Sequence, residues 1–151
     1  VSDTLKRTGA NPQRLTLELT ESAVLSNRSD AREKMLALGR LGINFSLDDF
    51  GTGYSSLSNL KLLPVSQVKI DRSFIHDLSD TSNDAAIVIA IIGMSNSLAI
   101  SVIAEGVETE QQRDFLIAHG CHAFQGYLYA RPMQDTEFEQ CLDQSALSPP
   151  S

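Results

Sequence analysis

One repeated pattern constrains the fold of this chain more than any other feature. Five times, a short apolar run rich in β-branched residues ends on a polar residue and is followed by a loop and a helical segment. The runs predict strands over Leu15–Leu19, Ile43–Leu47, Gln67–Ile70, Ile100–Ala104 and His122–Gln125. The helical segments are Asp30–Leu41, Ser55–Leu62, Asn83–Leu98, Thr109–Ala118 and Thr136–Asp143. Strands that alternate with helices predict an α/β fold with parallel strands joined by right-handed crossovers.

The number of units leaves two architectures open. A closed (β/α)8 barrel needs eight strands and typically ~250 residues, whereas this chain has 151 residues and five units. The chain is therefore either an open five-stranded sheet or five-eighths of a barrel. Hydrophobic periodicity does not choose between them.

Two helices carry further signals. Thr109-Glu110-Gln111-Gln112 is a capping-box pattern that predicts a helix start. The segment Asn83–Leu98 is apolar on nearly all sides, so we expect it to be deeply packed. The small, proline-ended segment 145–151 predicts a disordered tail.

Polar side chains stand at the end of every predicted strand. They are Glu18, Glu21, Asp48, Asp49, Lys69, Asp71, Glu105 and Gln125. The carboxyl ends of parallel strands share one rim, which is where α/β folds carry out their chemistry. Taken singly, each acid could equally be a helix cap or a solvated loop residue. Taken together, Glu18, Asp48, Asp49, Lys69, Glu105 and Gln125 predict a single site at the rim.

Carboxylates gathered on one rim repel one another unless a cation lies among them. Hard divalent cations with oxygen ligands, Mg²⁺ or Mn²⁺, suit such a set. The adjacent pair Asp48-Asp49 suits a two-metal site for phosphoryl chemistry, and Lys69 could orient a water or neutralise phosphate charge. The segment Gly51-Thr52-Gly53 could bring backbone N–H groups to a phosphate or could simply be a flexible connection.

Composition excludes several other classes. The 12 basic and 19 acidic residues give a net charge of −7, which opposes binding to DNA or RNA polymers. No apolar run reaches the ~18 residues of a membrane helix, so we expect no membrane contact by this chain. Cys121 and Cys141 show no metal-site spacing and are typical of reduced thiols in the cytoplasm. The three histidines show no ligand spacing either.

Five motifs together resemble the EAL-domain family of bacterial cyclic-di-GMP phosphodiesterases. They are LELTES (Leu17–Ser22), DDFGTGYSSL (Asp48–Leu57), VKIDRSFI (Val68–Ile75), IAEGVET (Ile103–Thr109) and QGY (Gln125–Tyr127). The resemblance implies a (β/α)8-type barrel with one antiparallel strand. It also implies a two-metal site, holding Mg²⁺ or Mn²⁺, that hydrolyses cyclic di-GMP to linear pGpG.

The resemblance also implies roles for individual residues. Glu18 resembles a ligand of the first metal, Asp48 the bridging ligand, and Asp49 and Glu105 ligands of the second metal. Lys69, Glu105 and Gln125 resemble the catalytic set, with Lys69 contacting the attacking water and Gln125 lying near it. Glu21 resembles the glutamate that steadies the glycine loop after Asp49. Glu108, Gly51, Thr52 and Gly53 are candidates for contact with the substrate.

The Glu-Ala-Leu tripeptide that names the family is absent from this chain, as is a strand carrying a metal-binding asparagine. We therefore expect residues 1–151 to be the C-terminal part of the domain, forming about five of eight βα units. Such a chain should be inactive alone and should form a homodimer or larger oligomer, because an incomplete barrel exposes strand edges and core. The parent protein could be anchored to a membrane through other domains.

Two other functions stay open. Some members of this family have lost metal ligands and serve as cyclic-di-GMP receptors or protein-interaction modules. A glycosidase with paired carboxylates is a third possibility. It is disfavoured because adjacent Asp48 and Asp49 should point to opposite faces of a strand and because the chain has no tryptophan for stacking on sugars.

Overall fold

A single parallel sheet organises the computed structural model, which describes residues 1–52, 60–79 and 82–146. The strands are β1 (Thr16–Thr20), β2 (Asn44–Phe50), β3 (Gln67–Ile70), β4 (Ser101–Glu105) and β5 (Ala123–Gln125). All four neighbouring pairs are parallel. All five predicted strands are therefore present, and β2 continues three residues beyond its predicted end.

The order of the strands decides between the two architectures that the sequence leaves open. Each strand pairs with the one before it, in the order β1-β2-β3-β4-β5. An open doubly wound sheet reverses its order at a switch point, whereas a barrel winds in one direction throughout. The sheet is thus an arc of five barrel strands, consistent with the predicted incomplete barrel.

The helices lie before, between and after the strands along the chain. They are α1 (Ser2–Thr8), α2 (Glu21–Ser26), α3 (Arg28–Gly39), α4 (Ser73–His76), α5 (Asn83–Ser97), α6 (Glu110–Ala118) and α7 (Asp135–Ala146), with a 3₁₀ turn at Pro12–Arg14. The short helices α1, α2 and α4 were not predicted, because none is long enough to show a helical period. The predicted helix Ser55–Leu62 lies largely outside the described residues. Of the predicted tail 145–151, the first two residues end α7 and the others lie outside that description.

One face of the sheet forms the core with the helices. Val68, Ile70 and Ala104 on this face are fully buried, and α5 contacts both β3 and β4. The expectation that α5 packs on nearly all sides is wrong. Its outward residues Ile87 and Ile89 are 39% and 41% exposed, since a helix on the outside of a barrel has only one face to bury.

The opposite face of the sheet is polar except at Ile103 and Ala123. Side chains alternate between the two faces of a strand, and this face carries Glu18, Ser46, Asp48, Gln67, Lys69, Ser101, Glu105 and Gln125. In a barrel this face is the interior. Its polar residues therefore place the candidate chemistry inside the arc.

The loops that follow β4 and β5 are packed backbone to backbone. The N–H of Val107 donates to the carbonyl of Gln125, and the N–H of Leu128 donates to the carbonyl of Val107. Gly126 lies between these two hydrogen bonds, where a β-carbon would overlap the backbone of Val107. Only glycine permits this approach.

The contact at Gly126 predicts opposite effects for two Gly→Ala substitutions. Gly126→Ala should lower the free energy of unfolding by about 3 kcal/mol or more, because rigid backbone cannot yield to the added methyl group. Gly93→Ala should raise it by about 0.5–1 kcal/mol, because Gly93 lies within α5 with open space around it. Urea unfolding followed by circular dichroism measures both. Equal stability of the two variants would contradict the assigned contact.

Candidate active site

Lys69 is the centre of the candidate site. It projects from β3, and its Nζ lies 2.8 Å from Glu18 Oε2, 2.6 Å from Glu105 Oε1 and 3.3 Å from Asp48 Oδ1. The three carboxylates come from β1, β4 and β2, so this one ammonium group joins four strands. The structure thus brings together four of the residues that the sequence placed on one rim.

Because Lys69 is buried, its side chain needs the neighbouring carboxylates to stay charged. Lys69 is only 4% exposed, and burial by itself lowers the pKa of a lysine. Hydrogen bonds to Glu105 and Glu18 and the charge of Glu105 outweigh that effect and raise the pKa of Lys69 above its ordinary value. The side chain is therefore an ammonium ion at neutral pH. Its positive charge offsets the repulsion among the surrounding carboxylates.

An irregularity in β2 shapes the pair Asp48-Asp49. Leu47 pairs with Val68 and Phe50 with Ile70, so β2 holds one more residue than β3 over this stretch. Such a bulge re-aims side chains, and Asp49 has a φ of +55°. The alternation that would send adjacent side chains to opposite faces does not hold here. Strict alternation therefore does not serve as an argument against a glycosidase at this pair.

A second pair of carboxyl groups lies beside the first cluster. Burial and the charges of Asp48 and Asp71 raise the pKa of the Asp49 carboxyl. Asp71 accepts hydrogen bonds from the backbone N–H and the hydroxyl of Ser73, and these outweigh burial and lower its pKa. Asp71 is a site residue that our sequence-based list of candidate ligands omitted. Its position directly after β3 is the signal that could have included it.

A pocket of about 590 Å³ opens next to Glu105. Its lining includes acidic, basic, amide and aromatic side chains, namely Arg72, Glu105, Glu108, Gln125, Tyr127, Arg131 and Phe138. The guanidinium carbon of Arg131 lies 4.4 Å from the centroid of the Tyr127 ring. Cationic and aromatic groups beside carboxylates suit a flat, anionic ligand such as a nucleotide. Glu108 and Gln125, both predicted from the sequence, belong to this pocket.

The remaining predicted residues lie around the glycine segment. The hydroxyl of Thr52 donates to the carbonyl of Asp49 over 2.8 Å, and Gly51 has a φ of +99°. Gly53 lies outside the described residues. Glu21 is 3% exposed, and neither of its carboxylate oxygens has a hydrogen-bond partner within the described ranges. Contact of Gly51, Thr52 and Gly53 with a substrate stays a prediction.

The carboxylates contact the lysine and are not arranged as an open cage. Among the described histidine, cysteine, aspartate and glutamate residues, no group of three is arranged to hold a metal ion. The donor set nevertheless fits a divalent cation, since it consists of hard carboxylate oxygens that already surround a positive charge. A cation would also relieve the repulsion that the like charges of Asp48 and Asp71 exert on Asp49.

The family follows from comparison with known proteins. The profile of the EAL domain matches residues 1–132. The chain belongs to the EAL-domain family. The bifunctional diguanylate cyclase/cyclic di-GMP phosphodiesterase MucR of Pseudomonas aeruginosa is 47% identical over 133 residues, which cover 88% of this chain and 19% of that protein.

Solved EAL structures share the fold. The MucR phosphodiesterase in complex with c-di-GMP superimposes with a TM-score of 0.87 at 45% identity, covering 91% of this chain and 56% of the other. The complex of Klebsiella pneumoniae BlrP1 with manganese and cyclic di-GMP gives a TM-score of 0.78 at 36% identity, covering 86% and 33%. This chain thus spans about a fifth of MucR and about half of the solved MucR chain.

Within the described ranges of this EAL-family chain, no helix is both long and apolar enough to cross a bilayer.

The environment of Lys69 generates a prediction for stability. Lys69→Met removes the ammonium and leaves three neighbouring carboxylates without their shared counter-charge. In metal-free buffer, the free energy of unfolding should fall by about 2–3 kcal/mol, less than for a fully buried pair because Glu18 is half exposed. Urea unfolding in the presence of EDTA measures this. Lys61→Met, at an exposed lysine, is the control and should change stability by less than about 0.5 kcal/mol. Equal effects of the two substitutions would show that the cluster is unimportant.

Proposed function

We propose that the domain of which this chain forms the C-terminal part hydrolyses cyclic di-GMP to linear pGpG with two divalent cations. The observation that supports this most directly is the convergence of Glu18, Asp48 and Glu105 on Lys69 inside the barrel arc. The names of the relatives support the substrate, since MucR is a cyclic di-GMP phosphodiesterase. A manganese complex of a related structure supports a divalent cation, and Mg²⁺ is the natural alternative.

The carboxylates at the rim are the proposed ligands. Glu18 and Asp48 would hold the first cation, and Asp48, Asp49 and Glu105 the second. When bound, such a pair of cations supplies a water of lowered pKa and neutralises charge on the phosphodiester. Asp71, whose charge raises the pKa of Asp49, would help to orient that carboxylate.

The chain's own residues would then handle substrate and water. Hydrolysis adds a water oxygen to phosphorus and breaks one P–O bond to a ribose 3′ oxygen, which leaves as a hydroxyl. Lys69 would donate a hydrogen bond to the attacking water and hold it in line with phosphorus. It is suited to this because its raised pKa keeps it a hydrogen-bond donor at neutral pH. Gln125, next to Glu105 in the sheet register, would contact the same water.

The pocket beside Glu105 is the proposed place for part of the dinucleotide. Arg72 and Arg131 could face its phosphates, and Tyr127 could stack on a base. Glu108 would contact a base or the ribose. The backbone of Gly51, Thr52 and Gly53 would contact substrate near Asp49. Buried Glu21, whose oxygens lack partners among the described residues, would steady that segment.

Direct assay tests the proposed reaction. The chain is incubated with cyclic di-GMP and Mn²⁺ or Mg²⁺, pGpG is followed by chromatography, and binding is measured in parallel by calorimetry. If the residues described here suffice, pGpG should form only with metal, and Asp48→Asn should lower the rate by at least about 100-fold, since it removes the bridging carboxylate. Glu110→Gln, on the exposed side of α6, is the control and should leave the rate unchanged.

Each other result has a defined meaning. Cyclic di-GMP binding without pGpG would favour the receptor function over catalysis by this chain and would agree with the expected inactivity of the chain alone. If the chain neither binds nor hydrolyses cyclic di-GMP, that result contradicts the proposal for these residues. Release of sugar from glycosides without metal would favour a glycosidase. We propose a cytoplasmic location, where cyclic di-GMP would act as a signal.

We further propose that the chain associates with itself. The outer edges of β1 and β5 have no neighbouring strand in the described sheet, and the outward face of α5 exposes Ile87 and Ile89. Unpaired edges and apolar side chains favour association. Size-exclusion chromatography with light scattering should give at least twice the mass of one chain. A stable monomer at micromolar concentration would contradict this.

A further inference from the structure

Gln112 makes more hydrogen bonds than its position in a helix cap requires. It is the third residue of α6 and is 6% exposed. Its Oε1 accepts from the backbone N–H groups of Glu108 and Thr109 over 2.8 Å and 2.9 Å. This half of the side chain completes the capping box that the sequence predicts.

The other half of the amide reaches a different loop. Gln112 Nε2 donates to the backbone carbonyls of Ile75 and His76, over 2.9 Å and 3.1 Å. These carbonyls belong to the end of α4, where the Ile75 carbonyl also accepts from the backbone N–H of Leu78. Both hydrogens of the amide and both lone pairs of its oxygen are therefore in use. One buried side chain joins the segment after β3 to the segment after β4.

Both joined segments carry pocket residues. Arg72 directly precedes α4, and Glu108 directly precedes the cap of α6, and both line the pocket beside Glu105. The two segments also touch nearer the rim, where a β-carbon on Gly106 would lie 2.7 Å from Arg72 Cβ. The segments after β3 and β4 are therefore joined at two points, by the hydrogen bonds of Gln112 and by the contact of Gly106 with Arg72.

We propose that Gln112 is a positioning residue that sets the separation of Arg72 and Glu108, and thereby the fit of the pocket to a cyclic dinucleotide. It touches no reacting group and acts only through α4 and the loop after β4. The identity of the ligand rests on the proposed function, whereas the link between the two segments rests on the hydrogen bonds alone.

The substitution Gln112→Glu replaces the amide nitrogen by an oxygen, which separates the accepting role of the side chain from its donating role. In Gln112→Glu the carboxylate still accepts from Glu108 and Thr109, as glutamate does in many capping boxes, but as an anion it cannot donate to α4. Gln111→Glu adds the same charge at the exposed neighbouring position and is the matched control. Gln112→Met, which breaks both halves, keeps the test informative if Gln112→Glu fails to fold.

Three measurements on the full chain test the proposal. Hydrogen exchange of the Leu78 amide, which donates to Ile75, should become at least about tenfold faster in Gln112→Glu, while the amides of Glu108 and Thr109 stay protected. The dissociation constant for cyclic di-GMP should rise about tenfold, as expected for the loss of ordered pocket contacts. The dissociation constant for Mn²⁺ should stay within about twofold, because the proposed metal ligands do not touch Gln112. Gln111→Glu should match the wild type throughout.

The outcomes distinguish this inference from the proposed function. A wild-type chain that does not bind cyclic di-GMP contradicts the proposed function, and the exchange of Leu78 then decides the role of Gln112. The proposal is overturned if the Leu78 amide of Gln112→Glu exchanges at the wild-type rate. It is also overturned if the wild-type chain binds cyclic di-GMP and Gln112→Glu binds it with the same affinity. Equal losses in Mn²⁺ and cyclic di-GMP affinity, with faster exchange throughout the chain, also overturn it, since they indicate a general loss of stability.

Discussion

The ion pairs of Lys69 hold the functional end of this molecule together. Four strands end within reach of one ammonium group, and three of them contribute a carboxylate to it. Without a positive charge, these carboxylates would repel one another at the place where the sheet brings them closest. The lysine therefore allows the fold to form with its acidic residues already gathered. Divalent cations would bind to carboxylates that are already in position before the cations arrive.

The two sides of the site are built differently. On the β3–β5 side, the approach of Gly106 to Arg72, the backbone contact of Gly126 with Val107 and the amide of Gln112 fix the loops against one another. On the β1–β2 side, the carboxylate of Glu21 is buried with no hydrogen-bond partner among the described residues. One wall is thus defined by close packing, and the other holds a buried carboxylate that has no partner in the part of the chain that the structure describes.

Much of this could be predicted from sequence, for a physical reason. Strand–helix alternation forces parallel strands, and parallel strands bring residues such as Glu18, Lys69 and Glu105 to one rim whatever their separation along the chain. The choice between an open sheet and a barrel arc could not be made, because it depends on strand order. The double role of Gln112 could not be foreseen either. A capping box is local, whereas the second half of its hydrogen bonds reaches 37 residues back along the chain. Ile87 and Ile89 were misjudged because hydrophobicity alone does not say which side of a helix faces the sheet.

The bulge in β2 has a consequence for how such domains change over evolutionary time. Leu47 and Phe50 keep their partners Val68 and Ile70 across the extra residue, and both are buried. Deleting one residue of the aspartate pair would restore ordinary pairing between the same core residues. The proposed metal ligation at this position would therefore rest on a residue that the sheet does not need. A lineage could lose that proposed ligand in one step and retain its strand pairing, which is a physical route from the proposed enzyme to the alternative receptor on an unchanged scaffold.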